Sequence, residues 1–332
     1  MKDLLEGARA RLADEARARI AWVFPGQGAQ FVGMGKDLYR SSEAARRVFE
    51  QADQILGFSL SRLCFEGPEE VLEDTEIAQP AILTVSVAYL ESLREKWQTL
   101  GRKVAPMFVA GHSLGQYSAM VAAGALDFGD ALRLVRERGR LMKETGASRP
   151  GGMAAVLGLS PAEVEAICAA CSQLGVVSIA NANSPDQVVI SGEEAALERA
   201  SELAKERGAR RVVRLAISIA SHSPLMQRAS IQIADLLGSF QIRDPQVPVV
   251  ANFAGRLLTT AEEVRRELAE HTHRPVEWVN AVRQMVEGGA QTFVEIGPGG
   301  VLSGLIRRIA KDVEALTAAE LASANGSPSR PL

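Results

Sequence analysis

The 332-residue chain is short of most features that would reveal a function by themselves. It has three cysteines, an odd number and too few for a disulfide framework. Cys168 and Cys171 form a C-x-x-C, but no second pair completes a four-ligand metal site and Cys64 is far away, so all three read as structural thiols. Four histidines offer no ligand spacing, so no metal is expected. Neither charge dominates: 37 Lys and Arg face 40 Asp and Glu, a net charge of −3. Bulk electrostatics therefore gives no reason to expect nucleic-acid or membrane affinity. No apolar run approaches the ~20 residues of a membrane span. There is no internal repeat and no Walker loop, and Gly26 and Gly28 are followed by Phe31 where a dinucleotide fingerprint needs its third glycine. The first nineteen residues alternate charge with alanine and lack the apolar core of a secretory signal; they read as a solvated helix, which with the cysteine count points to a reducing cytoplasm.

Against this sparse background, Gly111-His112-Ser113-Leu114-Gly115 has the form of a nucleophile elbow. The apolar run 105–110 before it reads as a strand, and the small-residue run 116–126 after it as a helix. A serine on so sharp a turn is forced into a strained backbone, and its neighbours two residues away must be small; Gly111 and Gly115 meet that need. The turn lifts the Ser113 hydroxyl out of the sheet, and the helix start offers backbone N–H groups to a developing oxyanion. The plainer alternative is a glycine-rich turn that packs helix on sheet.

Elsewhere the pattern predicts strands at 20–24, 247–252 and 292–296 and helices at 41–56, 79–100 and 128–145. Between them the order changes to strand 151–159, helix 160–172, strands 176–180 and 187–191, helix 193–207 and strand 209–215, a split βαβ arrangement. The expected fold class is therefore α/β. A large α/β-hydrolase-like subdomain (20–146 and 219–316) carries an inserted ferredoxin-like small subdomain (147–218), with a cleft between them. Residues 1–19 form a helical extension, and the Ala/Ser/Pro/Gly-rich tail 317–332 reads as disordered.

A serine nucleophile needs a base. His112 adjoins Ser113 on a tight turn and should point away from it; His271 and His273 flank a polar helix end and read as solvated capping residues. His222 follows the last strand of the insert, at the cleft edge, and is the preferred base. No acid stands out between Ser113 and His222 as the third member of a hydrolase triad. On the helix 128–145, Ala131, Leu134, Val135, Arg138, Leu141 and Met142 share one face at about 100° per residue, while Arg133, Arg136, Arg140 and Lys143 point outward. Arg138 is thus a guanidinium in an apolar stripe, and must be paired. It either makes a salt bridge with a core acid or clamps a substrate carboxylate. In the latter case the glycine-rich turn 24–30 lies beside the elbow and offers the Gln27 N–H to an oxyanion.

Seven segments in order, FPGQGAQ (24–30), GHSLGQYSA (111–119), RGRLM (138–142), NSPDQVVISG (183–192), SHSPLM (221–226), RPVEW (274–278) and EIGPGGVLSGL (295–305), resemble the malonyl-CoA:acyl carrier protein transacylases, the acyltransferases of fatty acid and polyketide synthesis. The resemblance spans about residues 20–310. It implies Ser113 as the acylated nucleophile, His222 as its base, Arg138 as the holder of the malonyl carboxylate, and the Gln27 and Leu114 N–H groups as the oxyanion hole. It also implies that a backbone carbonyl in the loop Pro275-Val276-Glu277 orients His222, with Asn183 near the same histidine. Glu277 stands where family members often carry Gln or Arg.

The implied reaction is ping-pong. Ser113 takes malonyl from malonyl-CoA, and the phosphopantetheine thiol of a holo acyl carrier protein takes it from Ser113. No bound cofactor is implied, and a monomer is expected. Leu114 resembles the malonyl type of acyltransferase, whereas Ile219-Ala220-Ser221-His222 partly resembles the methylmalonyl type; malonyl is favoured. An acidic carrier would meet a basic rim, for which Lys205, Arg207, Arg210, Arg211 and Arg214 form one candidate cluster and Arg307, Arg308 and Lys311 another. The competing readings are a trans-acting polyketide or malonate decarboxylase acyltransferase, a serine hydrolase or thioesterase, and a silent carrier-binding scaffold.

Overall fold

The computed structural model describes residues 19–102 and 104–324. Its strands are β1 (Ile20–Phe24), β2 (Phe108–Gly111), β3 (Gly151–Leu157), β4 (Val177–Ser184), β5 (Gln187–Glu193), β6 (Arg211–Arg214), β7 (Val249–Val250), β8 (Leu257–Leu258), β9 (Thr292–Glu295) and β10 (Glu314–Thr317). They make two sheets in a mixed α/β protein. The larger runs β10-β9-β1-β2-β7-β8, parallel throughout except for the β7–β8 hairpin. All five residues of β1 are buried, as a parallel strand covered on both faces requires. Their side chains alternate: Ile20, Trp22 and Phe24 enter one core, and Ala21 and Val23 the other. The first core is built by the helices Glu43–Leu56, Thr75–Thr99, Gly115–Ala122 and Phe128–Ser148. The second is covered by Trp278–Glu287 and Val301–Ile309.

The smaller sheet runs β4-β5-β3-β6, with every neighbouring pair antiparallel. Alternation along β3 decides what each of its faces does. Ala154 and Val156 pack under the helices Pro161–Cys171 and Glu194–Glu206, while Met153 and Ala155 join Val189 on the opposite face, over a cavity. The helix Pro161–Cys171 starts at a reciprocal capping box between Ser160 and Glu163.

Several boundaries differ from expectation, each for a local reason. The helix expected from residue 79 begins at Thr75, because the Asp74 side chain caps it by accepting the Glu76 N–H, and Pro80 falls inside it. Short helices Leu60–Glu66 and Glu69–Glu73 and strands β8 and β10 are additional. The tail is the clearest correction. Residues 314–317 pair with β9, Thr317 and Glu320 form a reciprocal cap for the helix Ala318–Ala324, and Ala318 and Leu321 are buried in the core. The rest of that tail, and all but Arg19 of the N-terminal extension, lie outside the described residues. No helix among the described residues is long and apolar enough to cross a membrane.

Candidate active site

β2 ends at Gly111 and the helix Gly115–Ala122 starts four residues later, with Ser113 between them at φ 51°. For a non-glycine residue this is the strained left-handed region. The flanking glycines are sterically required. A Cβ on Gly111 would sit 1.9 Å from the Gly115 carbonyl carbon, and one on Gly115 would sit 2.0 Å from Phe24 O. Two buried amides brace the turn. Gln116 accepts the Gly111 N–H (2.9 Å) and donates to Val250 O (3.0 Å). Asn252 accepts the Ser113 N–H (2.7 Å) and donates to Gly111 O (2.9 Å).

The Ser113 N–H is thus engaged, whereas the Leu114 and Gln27 N–H groups make no hydrogen bond among the described residues. Gln27 is held next to the elbow by its neighbour and its own side chain. A Cβ on Gly26 would sit 2.4 Å from His112 O, and Gln27 Nε2 donates to Thr75 Oγ1 at 3.1 Å.

His222 Nε2 lies 2.7 Å from Ser113 Oγ, and the base too has a left-handed backbone, at φ 58°. Its Nδ1 faces two carbonyls, His271 O at 2.8 Å and Arg274 O at 3.0 Å. Carbonyls only accept, so Nδ1 carries the proton and Nε2 is free to take one. These carbonyls precede the expected loop: the Glu277 carbonyl is engaged with the Ala281 N–H, and its carboxylate with the Ala254 N–H and Asn280. Glu277 therefore does not orient the base. Burial, then the Arg138 charge, then His112 push the His222 imidazole down to about 3.

Arg138 is 2% exposed, and no carboxylate of the described residues pairs with it. One terminal nitrogen donates to the buried Gln79 side-chain Oε1 (2.7 Å), the other reaches Ser113 Oγ at 3.4 Å, and Nε has no partner among the described residues. The group stacks over the Tyr117 ring, 5.9 Å from its centroid. The salt-bridge alternative thus lacks its acid, and burial lowers the Arg138 pKa. Gln79, which also donates to Met142 Sδ (3.7 Å), was not singled out in the sequence, although it is an amide within the buried apolar stretch of its helix.

Asn183 pairs with His112 Nε2 at 2.8 Å, not with His222. His112 lies edge-on to Trp278 and lines the cavity beside Ser113. His271 is not a solvated cap. It is 1% exposed, its Nδ1 turns back to the carbonyls of Glu267 and Leu268 (3.2 Å each), and its ring lies edge-on to Tyr117. His273 is half-buried, with Nδ1 2.8 Å from Ser230 Oγ. All three cysteines are free and buried, with the Cys64 and Cys168 thiols pushed up to about 12 by burial. No cluster of three metal-ligating side chains occurs among the described residues.

Ser113, His222 and Arg138 open onto one cavity of about 490 Å³ between the two sheets. Gly26 to Gln30 and the helix Val301–Ile309 form one side, and Met153, Ala155 and Val189 of the small sheet the other. A serine, a histidine with its Nε2 turned to the hydroxyl, and a buried guanidinium with no ion pair among the described residues thus share one pocket, with two unengaged N–H groups beside it. Such a site can acylate the serine with an acyl group that itself carries a negative charge.

The chain matches the acyl transferase domain family over residues 21–325. The malonyl CoA-acyl carrier protein transacylase of Bacillus subtilis is 42% identical over 304 residues, 91% of this chain and 94% of that protein. The transacylase of Escherichia coli K12 is 43% identical over 303 residues, 91% of this chain and 96% of that protein. A polyketide biosynthesis protein of Burkholderia thailandensis, ThaF, is 42% identical over 98% of this chain but only 26% of its own length. Among solved structures, an acyl carrier protein S-malonyltransferase from Vibrio cholerae superposes with a TM-score of 0.87 at 40% identity, covering 92% of this chain and all of that one. A malonyl-transacylase in complex with a type II polyketide acyl carrier protein gives 0.87 at 41%, covering 92% and 99%. At that identity and coverage, the chain belongs to the acyl transferase domain family, among the malonyl-CoA:acyl carrier protein transacylases.

Proposed function

We propose that this chain moves a malonyl group from malonyl-CoA to the phosphopantetheine thiol of a holo acyl carrier protein through a malonyl-Ser113 ester. One observation carries the specificity. Arg138 is buried beside the nucleophile with no acidic partner among the described residues, a place for the carboxylate of the substrate.

In the first half-reaction Ser113 Oγ attacks the thioester carbon as His222 Nε2 takes its proton. The oxyanion is received by the Gln27 and Leu114 N–H groups. The C–S bond breaks, and His222 returns the proton to the CoA sulfur. The second half reverses these steps: His222 deprotonates the carrier thiol, which attacks the ester, and Ser113 regains its proton. The His271 and Arg274 carbonyls stabilise the transient imidazolium in place of a triad acid.

The same cation tunes the base. Burial, and after it the Arg138 charge, hold His222 at about 3. A malonyl carboxylate on Arg138 offsets that part of the depression, while burial, the larger cause, remains. An acetyl group would leave the guanidinium desolvated and unpaired, a mismatch worth as much as ~10⁴-fold.

The larger sheet with its elbow supports an α/β-hydrolase-like subdomain (20–146 and 219–316), and the order of the smaller sheet supports a ferredoxin-like insert (147–218). For the carrier, the cluster at Arg307, Arg308 and Lys311 is favoured: Arg308 donates to Gln187, which lines the cavity, whereas Arg210 and Arg214 are paired with Asp186 and Glu194. The transacylase reading is tested by intact-protein mass after brief exposure to malonyl-, methylmalonyl- or acetyl-CoA. A malonyl adduct that is absent in Ser113→Ala and discharged by holo carrier protein is expected. An adduct that water removes as fast as the carrier does would mean a hydrolase.

A further inference from the structure

Glu267 lies on the helix Ala261–Glu270, outside the cavity, and is 2% exposed. A buried carboxyl with no ion pair among the described residues is costly and calls for a reason. The groups that face it are Arg256 and Arg274, which favour its charge, and Glu270, which opposes it; burial outweighs them and pushes the carboxyl up to about 7.

Its hydrogen bonds run in two directions. The Glu267 side chain accepts the Asn252 N–H (2.7 Å), and Asn252 accepts the Ser113 N–H (2.7 Å). The Glu267 carbonyl accepts the His271 N–H (2.9 Å), and the His271 carbonyl accepts Nδ1–H of His222 (2.8 Å). His222 Nε2 closes the circuit on Ser113 Oγ at 2.7 Å. Five hydrogen bonds thus form a ring through nucleophile and base, and Glu267 joins its two arms. Both Ser113 and His222 have left-handed backbones, which persist only where the surroundings over-determine them.

We propose that Glu267 is a positioning residue that sets the distance between Ser113 and His222, its side chain holding the elbow through Asn252 and its main chain holding the base through His271. The proposal rests on the transacylase reading for its assay. Arg138 stands on a different helix and meets the ring only at Ser113 Oγ (3.4 Å), so its hold on a substrate carboxylate does not run through Glu267.

The test is single-turnover acylation of Ser113 by malonyl-CoA, followed by intact mass over a range of malonyl-CoA concentrations. Rates are normalised to the fraction finally acylated, which removes misfolded protein from the comparison. Glu267→Leu keeps the volume and deletes the acceptor; it should lower the maximal rate about 30- to 100-fold while KM stays within about threefold, as expected for a small displacement of reacting groups. Glu267→Gln keeps the accepting oxygen and should stay within about threefold of wild type. Adding Asn252→Ala to Glu267→Leu should cost nothing beyond the worse single variant, because the two act through one connection.

If Glu267→Leu does not fold, Glu267→Asp, which retracts the acceptor, should lose about tenfold in rate at unchanged KM. A Glu267→Leu or Glu267→Asp enzyme with wild-type rate overturns the proposal, as does a Glu267→Gln enzyme as slow as Glu267→Leu. Wild-type protein that takes no malonyl at Ser113 would instead overturn the transacylase reading.

Discussion

Replacing Arg138 by alanine isolates the interaction on which substrate choice depends. In the free enzyme the guanidinium is 2% exposed, bonded to Gln79 and in reach of Ser113 Oγ, with Nε unpaired. A malonyl carboxylate completes a buried ion pair, and removing one partner of such a pair costs about 3–5 kcal/mol. At about 1.4 kcal/mol per tenfold, acylation of Ser113 by malonyl-CoA should fall by roughly 10²- to 10⁴-fold in kcat/KM. Acetyl-CoA should move the opposite way, because alanine leaves no desolvated cation to reject it and no longer depresses the base through its charge. The malonyl-to-acetyl ratio should therefore collapse by more than either rate changes alone. Arg138→Lys keeps a charge but loses the planar fork, and should fall between wild type and alanine. Both rates are read from the growth of the Ser113 adduct by intact mass. If the alanine variant still prefers malonyl to acetyl by a ratio within about tenfold of wild type, the clamp assignment is wrong.

With His222 at about 3 in the free enzyme, kcat/KM for serine acylation should stay level from pH 8 to about 5; an acid limb near 6.5 would show an unperturbed base. His112, His222 and His271 all titrate below the ordinary value of 6.5, so the unfolded chain takes up protons first. Their stabilisation is present above 6.5 and is lost as the pH falls, by up to about 1.4 kcal/mol per histidine and pH unit, whereas Glu267 stabilises below 4.5 and loses that contribution as the pH rises through about 7. Thermal melts should peak between these limits, and Glu267→Gln should flatten the alkaline side. Gly111→Ala drives a Cβ to 1.9 Å from backbone and should abolish soluble, acylatable protein; wild-type acylation in that variant would refute the elbow geometry. Charge reversal at Arg308 and Lys311 should raise KM for the carrier protein several-fold and leave acylation by malonyl-CoA unchanged.

The features legible in the sequence are those encoded locally. The run Ile20–Phe24, the two glycines around Ser113 and the stripe that isolates Arg138 are each complete within a few turns of chain, and periodicity alone ranks them. At the C-terminus composition reads the tail as disordered and passes over the capping box in Thr317-Ala318-Ala319-Glu320, a local signal of the same kind. Gln79 obeys the stripe argument too: an amide in the apolar helix Thr75–Thr99 must find a partner, and it finds Arg138 from 59 positions away. What no local rule supplies is the support of the catalytic pair. Asn252 braces Ser113 across 139 positions, and the base is oriented by main-chain carbonyls of His271 and Arg274, which carry no side-chain signature at all. Glu277 and its loop 275–277 lie just past the carbonyls that orient the base: a carbonyl is selected by where the chain turns, and the turn after the helix Ala261–Glu270 presents residues 271 and 274 first. A nucleophile and its base can thus be found by the chemistry of their side chains, whereas the groups that hold them 2.7 Å apart are chosen by the fold and become visible only with it.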